Sequence, residues 1–390
     1  MRAIWRGCCG TQATSTAATG MAVAGTQATG TAVAGAGLAL ILATSLATGL
    51  AQAACAPAPA PVLGLDFASR YAEGDATASQ IDPETATEAT AALRPVDDFL
   101  RDLTGTANAA LQDHDAAAAD CAIGAMAAWA RADALADLGS ETARLTVGAR
   151  LAGFALVLLQ TAPLTTDAAA RAEVRAWLTR RLTEQTLFWE DDAPDGARQG
   201  NLRAWAALAA AALSAGDEAG GGAGGGAGGG VANAEGGGDA ALRYWAVWSV
   251  TRVLCTAAAD GSLPQEMRRG RLALQYQLHA VSPLVAAAAL LQRQGLPVTG
   301  VCDAALDRAV GFALNDLGSG AATQAITGEV QSFFDGSDTL ENFHLAWIEA
   351  YLQLDGAAHR DRAEALAAPR RPLRYSKLGG DQTLLWQALR

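Results

Sequence analysis

An all-α fold is predicted by three features. Apolar residues recur at helical spacing almost without a break from Pro83 onward, alternating strand patterns are absent over that range, and alanine, the strongest helix former, is used heavily. Hydrophobic residues make up 51% of the 390-residue chain, enough for a sizeable core. Cys55 to Pro61 is rich in proline and alanine and reads as extended, and Leu63 to Asp82 reads as a short strand or loop. Ile81-Asp82-Pro83-Glu84 then starts the first helix, with the aspartate as cap and the proline in the first turn. Its apolar face is Ala91, Leu93, Val96, Phe99, Leu100 and Leu103. Further helices are predicted near 115–138, 141–161, 166–188, 201–215, 239–257, 263–294, 301–316, 338–354 and 359–367. About ten helices on short loops predict stacked antiparallel pairs, and the lack of a strict period argues against a consensus solenoid.

Residues 1–54 differ from the rest. Arg2 and Arg6 are their only charges, and Gly10-Thr11-Gln12-Ala13-Thr14 recurs as Gly25-Thr26-Gln27-Ala28-Thr29. An apolar run from Leu38 to Leu46 follows, then Ala51-Gln52-Ala53, small residues of the kind signal peptidase cleaves after. This reads as a secretory leader with a long polar front, which leaves 55–390 as one exported, periplasmic domain. The alternative is an uncleaved membrane anchor, since 32–50 nearly reaches spanning length. Cys8 and Cys9 would leave with the leader, while Cys55, Cys121, Cys255 and Cys302 remain. One or two disulfides are compatible with that count, with the pairing open; Cys255 and Cys302 read equally well as buried thiols. No CxxC pair or His/Cys cluster suggests a metal, and no cofactor is expected. Gly220 to Gly238 is dominated by glycine runs that bury no apolar area, and reads as a flexible surface insertion between two helices.

The formal net charge is -12, which argues against a nucleic-acid partner. It leaves room for an acidic ligand, because a local cationic cleft can sit in an acidic protein. Lys377 is the only lysine, so arginine supplies the other side-chain cations.

The most informative stretch runs from Gly261 to Tyr276 and on to His279. Ser262 and Gln265 are spaced as a capping box, with Pro264 in the first turn. Arg269 and Tyr276 are seven residues apart, so two helical turns would place them on one face, offset by about 20°. His279 lies three residues beyond Tyr276 on that face. Such a face suits an acidic sugar: the guanidinium can pair a carboxylate and the phenol can carry a proton. A solvated, arginine-rich helix with a core tyrosine has the same spacing.

That stretch resembles the helix of polysaccharide lyase family 5, the alginate (polymannuronate) lyases, that carries the family's Arg and Tyr. The likeness runs in order through 55–385. Cys55 to Pro61 is similar to the family's Cys/Pro-rich start, Ser69-Arg70-Tyr71 to its Ser-Lys-Tyr, and Ala128-Trp129-Ala130-Arg131-Ala132-Asp133-Ala134-Leu135 matches almost literally. Asn201 with Trp205, Thr327-Gly328-Glu329, Ala346-Trp347-Ile348-Glu349 and Leu378-Gly379-Gly380 complete it. The resemblance implies an incomplete (α/α) toroid of helix pairs around a cleft, and β-elimination on a polyuronate. It implies catalytic roles for Tyr276, Arg269 and Asn201, and substrate binding by Arg70, Tyr71, Trp205 and Lys377, to which spacing on the same face adds His279. The partner would be an acidic polysaccharide, alginate or a related polyuronate, met by a monomer with no membrane attachment after export. Arg70 and Lys377 keep the charge of the family's Lys and Arg. Leu202 departs from the pattern, standing where the family has a His after its Asn, and Ala149 falls where the family has a Trp. His279 is one candidate replacement for that His. A catalytically impaired homologue that binds acidic polysaccharide in the periplasm is the alternative reading.

N-terminal sequencing of the exported protein is expected to show a chain beginning just after Ala51-Gln52-Ala53. A mature chain starting at Met1 would rule out cleavage.

Overall fold

The computed structural model describes residues 55–216 and 234–390, apart from the side chains of 234–238. The leader and most of the glycine-rich segment lie outside the described residues. The chain runs through α1 (Pro83–Asp113), α2 (Ala116–Arg131), α3 (Glu141–Thr146), α4 (Gly148–Thr161), α5 (Ala168–Leu187), α6 (Asn201–Ala215), α7 (Ala234–Leu254), α8 (Pro264–Met267), α9 (Ala273–Arg293), α10 (Val301–Asp316), α11 (Ala321–Thr327), α12 (Ile348–Tyr351), α13 (Arg360–Ala367) and α14 (Gln382–Ala388). Four two-residue strands form two minimal sheets. β1 (Gly64–Leu65) pairs in parallel with β2 (Asp137–Leu138), and β3 (Arg374–Tyr375) pairs antiparallel with β4 (Gly380–Asp381).

Helices α4, α6 and α9 are the inner layer. Every residue of α4 is buried, and α6 exposes little beyond its ends. A helix that is apolar all round has no solvent face and must be enclosed by its neighbours. Helix α6 accordingly packs on α4, α7 and α9, with α5 behind it. Small residues allow the close approach: a Cβ on Gly148 would lie 3.0 Å from the Ala206 amide nitrogen. The stretches Glu141–Thr161 and Gly270–Arg293 are long and apolar enough to cross a membrane, but both are mostly buried among other helices.

Larger side chains fill the space beyond the alanines. Phe99 stacks on Trp129 at 4.3 Å between centroids, and Phe154 meets the Trp177 ring edge-on at 5.5 Å. The two indoles are satisfied by loop carbonyls, Trp129 donating to Pro59 O at 3.0 Å and Trp177 to Ala134 O at 2.8 Å. The first contact docks the extended Cys55–Pro61 segment against α2. Cys55–Cys121 and Cys255–Cys302 are disulfides, which settles the open pairing.

Asp82 caps α1 as its sequence predicts, accepting from Glu84 N and Thr85 N. The predicted box at Ser262 does not form. Ser262 instead donates its amide and hydroxyl to the Asp260 carboxylate, a stronger acceptor than the Gln265 amide, and α8 begins uncapped at Pro264. The continuous helix expected over 263–294 is therefore three pieces, α8, a 3₁₀ turn at Gly270–Leu272 and α9.

Reducing the Cys255–Cys302 bridge, or replacing both cysteines by serine, releases a crosslink spanning 47 residues. Loop-closure entropy puts the expected loss at up to about 4 kcal/mol. Denaturant titration with and without reductant measures it.

Candidate active site

The site is built on the N-terminal end of α6, the broken segment before α9, the first turns of α9, the loop 66–82 and the C-terminal segment 375–377. The loop is a compact unit. Tyr71 bridges Ile81, and Ala72 N donates to Gln80 O at 2.8 Å. Asp75 accepts from the amides of Thr77, Ser79 and Gln80 at 2.7–3.0 Å. The Thr77 hydroxyl and these amides hold the Asp75 carboxyl far below the usual carboxylate range. Arg268 and Arg269 donate to the carbonyls of Ala76 and Ala78, fixing the loop to the segment before α9.

This fixation brings Tyr71 against Tyr276, hydroxyl to hydroxyl in a hydrogen bond. The Arg269 guanidinium carbon lies 4.5 Å from the Tyr276 ring centroid and 5.6 Å from that of Tyr71. Arg269 and Tyr276 therefore meet as expected, but not through one helix face. Arg269 precedes the 3₁₀ turn, and it is the bend there that folds its guanidinium over the rings. Burial raises the Tyr71 pKa, opposed by Arg269 and Arg70. Tyr71 therefore keeps its proton across the neutral range.

Asn201 opens α6 and is buried. Its amide nitrogen donates to Glu266 Oε1 at 2.8 Å and its side-chain Nδ2 to Oε2 at 2.7 Å, while Oδ1 is buried without a partner. The Asn201 backbone N–H and one of its two side-chain N–H donors are therefore committed to Glu266. Gly200 makes room for this contact, since a Cβ there would lie 3.0 Å from Glu266 Oε1. Full burial raises the Glu266 pKa, against the pull of Arg269 and the two bonds from Asn201.

Trp205, one turn further along α6, donates its indole N–H to His279 Nε2 at 3.1 Å. The His279 ring meets the Tyr276 ring edge-on at 6.1 Å, and Trp205 meets Tyr375 edge-on at 5.9 Å. Burial, reinforced by Lys377, His344, Arg269 and Arg150, pushes the His279 imidazole down to about 3. It is uncharged across the neutral range. Lys377 Nζ lies 6.0 Å from the Tyr375 ring centroid, and Phe343 continues the aromatic wall 5.3 Å beyond Tyr375. Behind Lys377, Asp97 takes a two-pronged contact from Arg150 at 2.8 and 2.9 Å. Burial alone would raise the Asp97 carboxyl, but Arg150 and Lys377 outweigh it and hold it at about 2.

Leu202 packs with Leu145 and Trp245 around a small apolar cluster of Phe188, Trp189, Ala193 and Ala206. Position 202 is therefore apolar by packing as well as by identity. Ala149 is buried in α4. The residues that sequence spacing misses are Glu266, Tyr375 and Phe343. Glu266 carries a readable signal, a lone acid three residues before Arg269 in a basic stretch. Tyr375 and Phe343 are placed by chain crossings that no local pattern encodes.

Known proteins are similar to this chain in sequence and in fold. The alginate lyase family model matches residues 236–322, which include Arg269, Tyr276 and His279. An alginate lyase of Pseudomonas paraeruginosa is 24% identical over 338 residues, covering 84% of each chain. A polysaccharide lyase of Stenotrophomonas maltophilia is 27% identical over 354 residues, 88% of this chain and 94% of the relative. The fold matches that of alginate lyase A1-III from Sphingomonas species A1, with a TM-score of 0.64 at 20% identity and 85% of each chain covered. A histidine-to-alanine variant of A1-III complexed with a tetrasaccharide matches at a TM-score of 0.66, again over 85% of each chain, at 22% identity. In helical scaffold and in sequence the chain is thus similar to polysaccharide lyases. The 236–322 segment matches the alginate lyase family model, and the chain is similar to alginate lyases over most of its length.

Glu266→Ala would leave two buried donors of Asn201 unpaired and is expected to cost about 2–5 kcal/mol in stability. Glu266→Gln keeps one acceptor and should cost less. Denaturation midpoints of the two variants, compared at one pH, check the order.

Proposed function

We propose that the chain cleaves polymannuronate-type alginate, or a closely related polyuronate, by β-elimination. The observation that carries this reading is the phenol pair Tyr71–Tyr276 under the Arg269 guanidinium, with Lys377 and His279 beside it. In the elimination a base takes the C5 proton of a uronate, the C4–O4 bond breaks and a C4–C5 double bond forms. The C5 proton is acidic enough only when the adjacent carboxylate is neutralised and the enediolate-like intermediate is stabilised. Arg269, Lys377 and Arg70 supply positive charge at the cleft.

Tyr276 is the proposed proton carrier. As phenolate it takes the C5 proton, and as phenol it returns that proton to the departing O4, so one residue serves both steps. Tyr71 retains its own proton and can donate to the Tyr276 oxygen, while Arg269 offsets charge at the ring. Tyr375 and Phe343 supply apolar ring surface of the kind sugars pack against. Asn201 acts through the contact with Glu266 that ties α6 to the segment carrying Arg269. Export through the leader, a periplasmic setting and a monomeric state belong to the same proposal and rest on the sequence.

A second reading is favoured by Leu202, whose apolar packing leaves that position without a proton donor or base. In it the cleft binds polyuronate and does not cleave it. Ultraviolet absorbance of the unsaturated product, followed on polymannuronate with purified protein, separates the two. Tyr276→Phe should lower turnover by about 10²- to 10⁴-fold, and Arg269→Ala by about 10²- to 10³-fold, each with the far-ultraviolet circular dichroism unchanged. Wild-type turnover in Tyr276→Phe would rule out elimination through that phenol.

A further inference from the structure

We infer that His279 is the hydrogen-bond donor to the substrate carboxylate that position 202 cannot supply, held by Trp205 as a neutral imidazole with its proton on Nδ1. The inference rests on the proposed polyuronate reading of the cleft.

The tautomer follows from donor and acceptor chemistry. An indole N–H can only donate. It points at His279 Nε2 from 3.1 Å, so Nε2 must be the unprotonated, accepting nitrogen. A neutral imidazole carries one proton, which is then on Nδ1. Trp205 is a firm clamp: it is buried on α6, one turn from Asn201, and its ring is backed edge-on by Tyr375. Its N–H would otherwise be an orphan in the core, so the pairing satisfies both partners.

Nδ1 lies at the other side of the ring from this contact. No described residue hydrogen-bonds to it, and it is absent from the fully buried polar atoms that lack a partner. The ring is half-buried and stands three residues from Tyr276 on α9, edge-on to that phenol. The open N–H therefore belongs to the same cleft as the proton carrier. The charged and titratable groups acting on the ring come from four further elements: Lys377 after β3, His344 before α12, Arg269 before α9 and Arg150 on α4. Each cation disfavours a second proton, and Asp97 behind them is engaged by Arg150. The imidazole consequently serves as a fixed donor and not as the base.

The test combines a readout that needs no turnover with one that does. Nitrogen-15 NMR of protein labelled at histidine should show the Nδ1–H tautomer for His279, assigned through His279→Gln, unchanged between pH 5 and 8. Trp205→Phe removes the N–H and should let the Nε2–H form appear. A native Nε2–H or doubly protonated ring would overturn the inference. On polymannuronate oligomers, His279→Ala should lose about 10- to 100-fold in kcat/KM, the worth of one hydrogen bond to a charged group. His279→Gln, which retains a donor, should recover part of that and keep the shape of the native pH–rate profile. Native activity in His279→Ala, or a pH limb between 5 and 8 that vanishes in His279→Gln, would also overturn it. If the native protein yields no unsaturated product, the elimination reading fails by itself. Calorimetric binding of the same oligomers then decides the donor role, with weakened binding in His279→Ala supporting it and unchanged binding sinking it.

Discussion

The site depends on one buried carboxylate. Glu266 is enclosed by protein and takes two hydrogen bonds from a single residue, one from the Asn201 backbone and one from its side chain. A charge in such surroundings is tolerated only when compensated, here by Asn201, the amino end of α6 and nearby Arg269. The consequence is geometric. The start of α6 and the segment before α9 are joined at a point where neither can slide, so Arg269 and Trp205, which leave that junction in different directions, are placed relative to each other. Tyr276 and His279 follow from α9, and each meets one of those two side chains.

Electrostatically the cleft is a cationic feature on an acidic protein. Net charge of -12 opposes the approach of a polyanion at long range, but screening removes most of that beyond about 10 Å at ordinary salt. Within that distance Arg269, Lys377 and Arg70 dominate. The carboxylate behind Lys377, that of Asp97, is neutralised by Arg150 and so does not cancel the lysine outright. Burial keeps His279 from charging, and Lys377 and Arg269, cations that suit a carboxylated ligand, reinforce it.

Much of this is readable in the chain. The helical class follows from periodicity, the α1 start from Asp82 and Pro83, and the Arg269–Tyr276–His279 grouping from spacing. The grouping holds for a partly different reason. Spacing assumes one helix, whereas Asp260 captures Ser262 and the helix breaks into pieces, so the bend replaces the shared face. Trp205 reads as a cleft residue and is instead a buried one that acts through His279. Asn201 reads as a donor in the cleft, and one of its two side-chain N–H groups is held by Glu266. These outcomes turn on long-range pairs separated by 65 to 74 residues, which no local window contains.

The cleft draws its walls from both ends of the described domain. Tyr71 arrives from the first loop, Tyr375 and Lys377 from the last segment. Those ends are tied to each other through α1, where Asn108 accepts from the Asp381 amide, and α14 packs on α1. Gln160 of α4 reaches the same C-terminal turn at Gly379. A chain still lacking its last few dozen residues would lack the Tyr375 and Lys377 side of the cleft. The cleft surface is therefore completed only when the C-terminal segment docks, at the end of synthesis and folding.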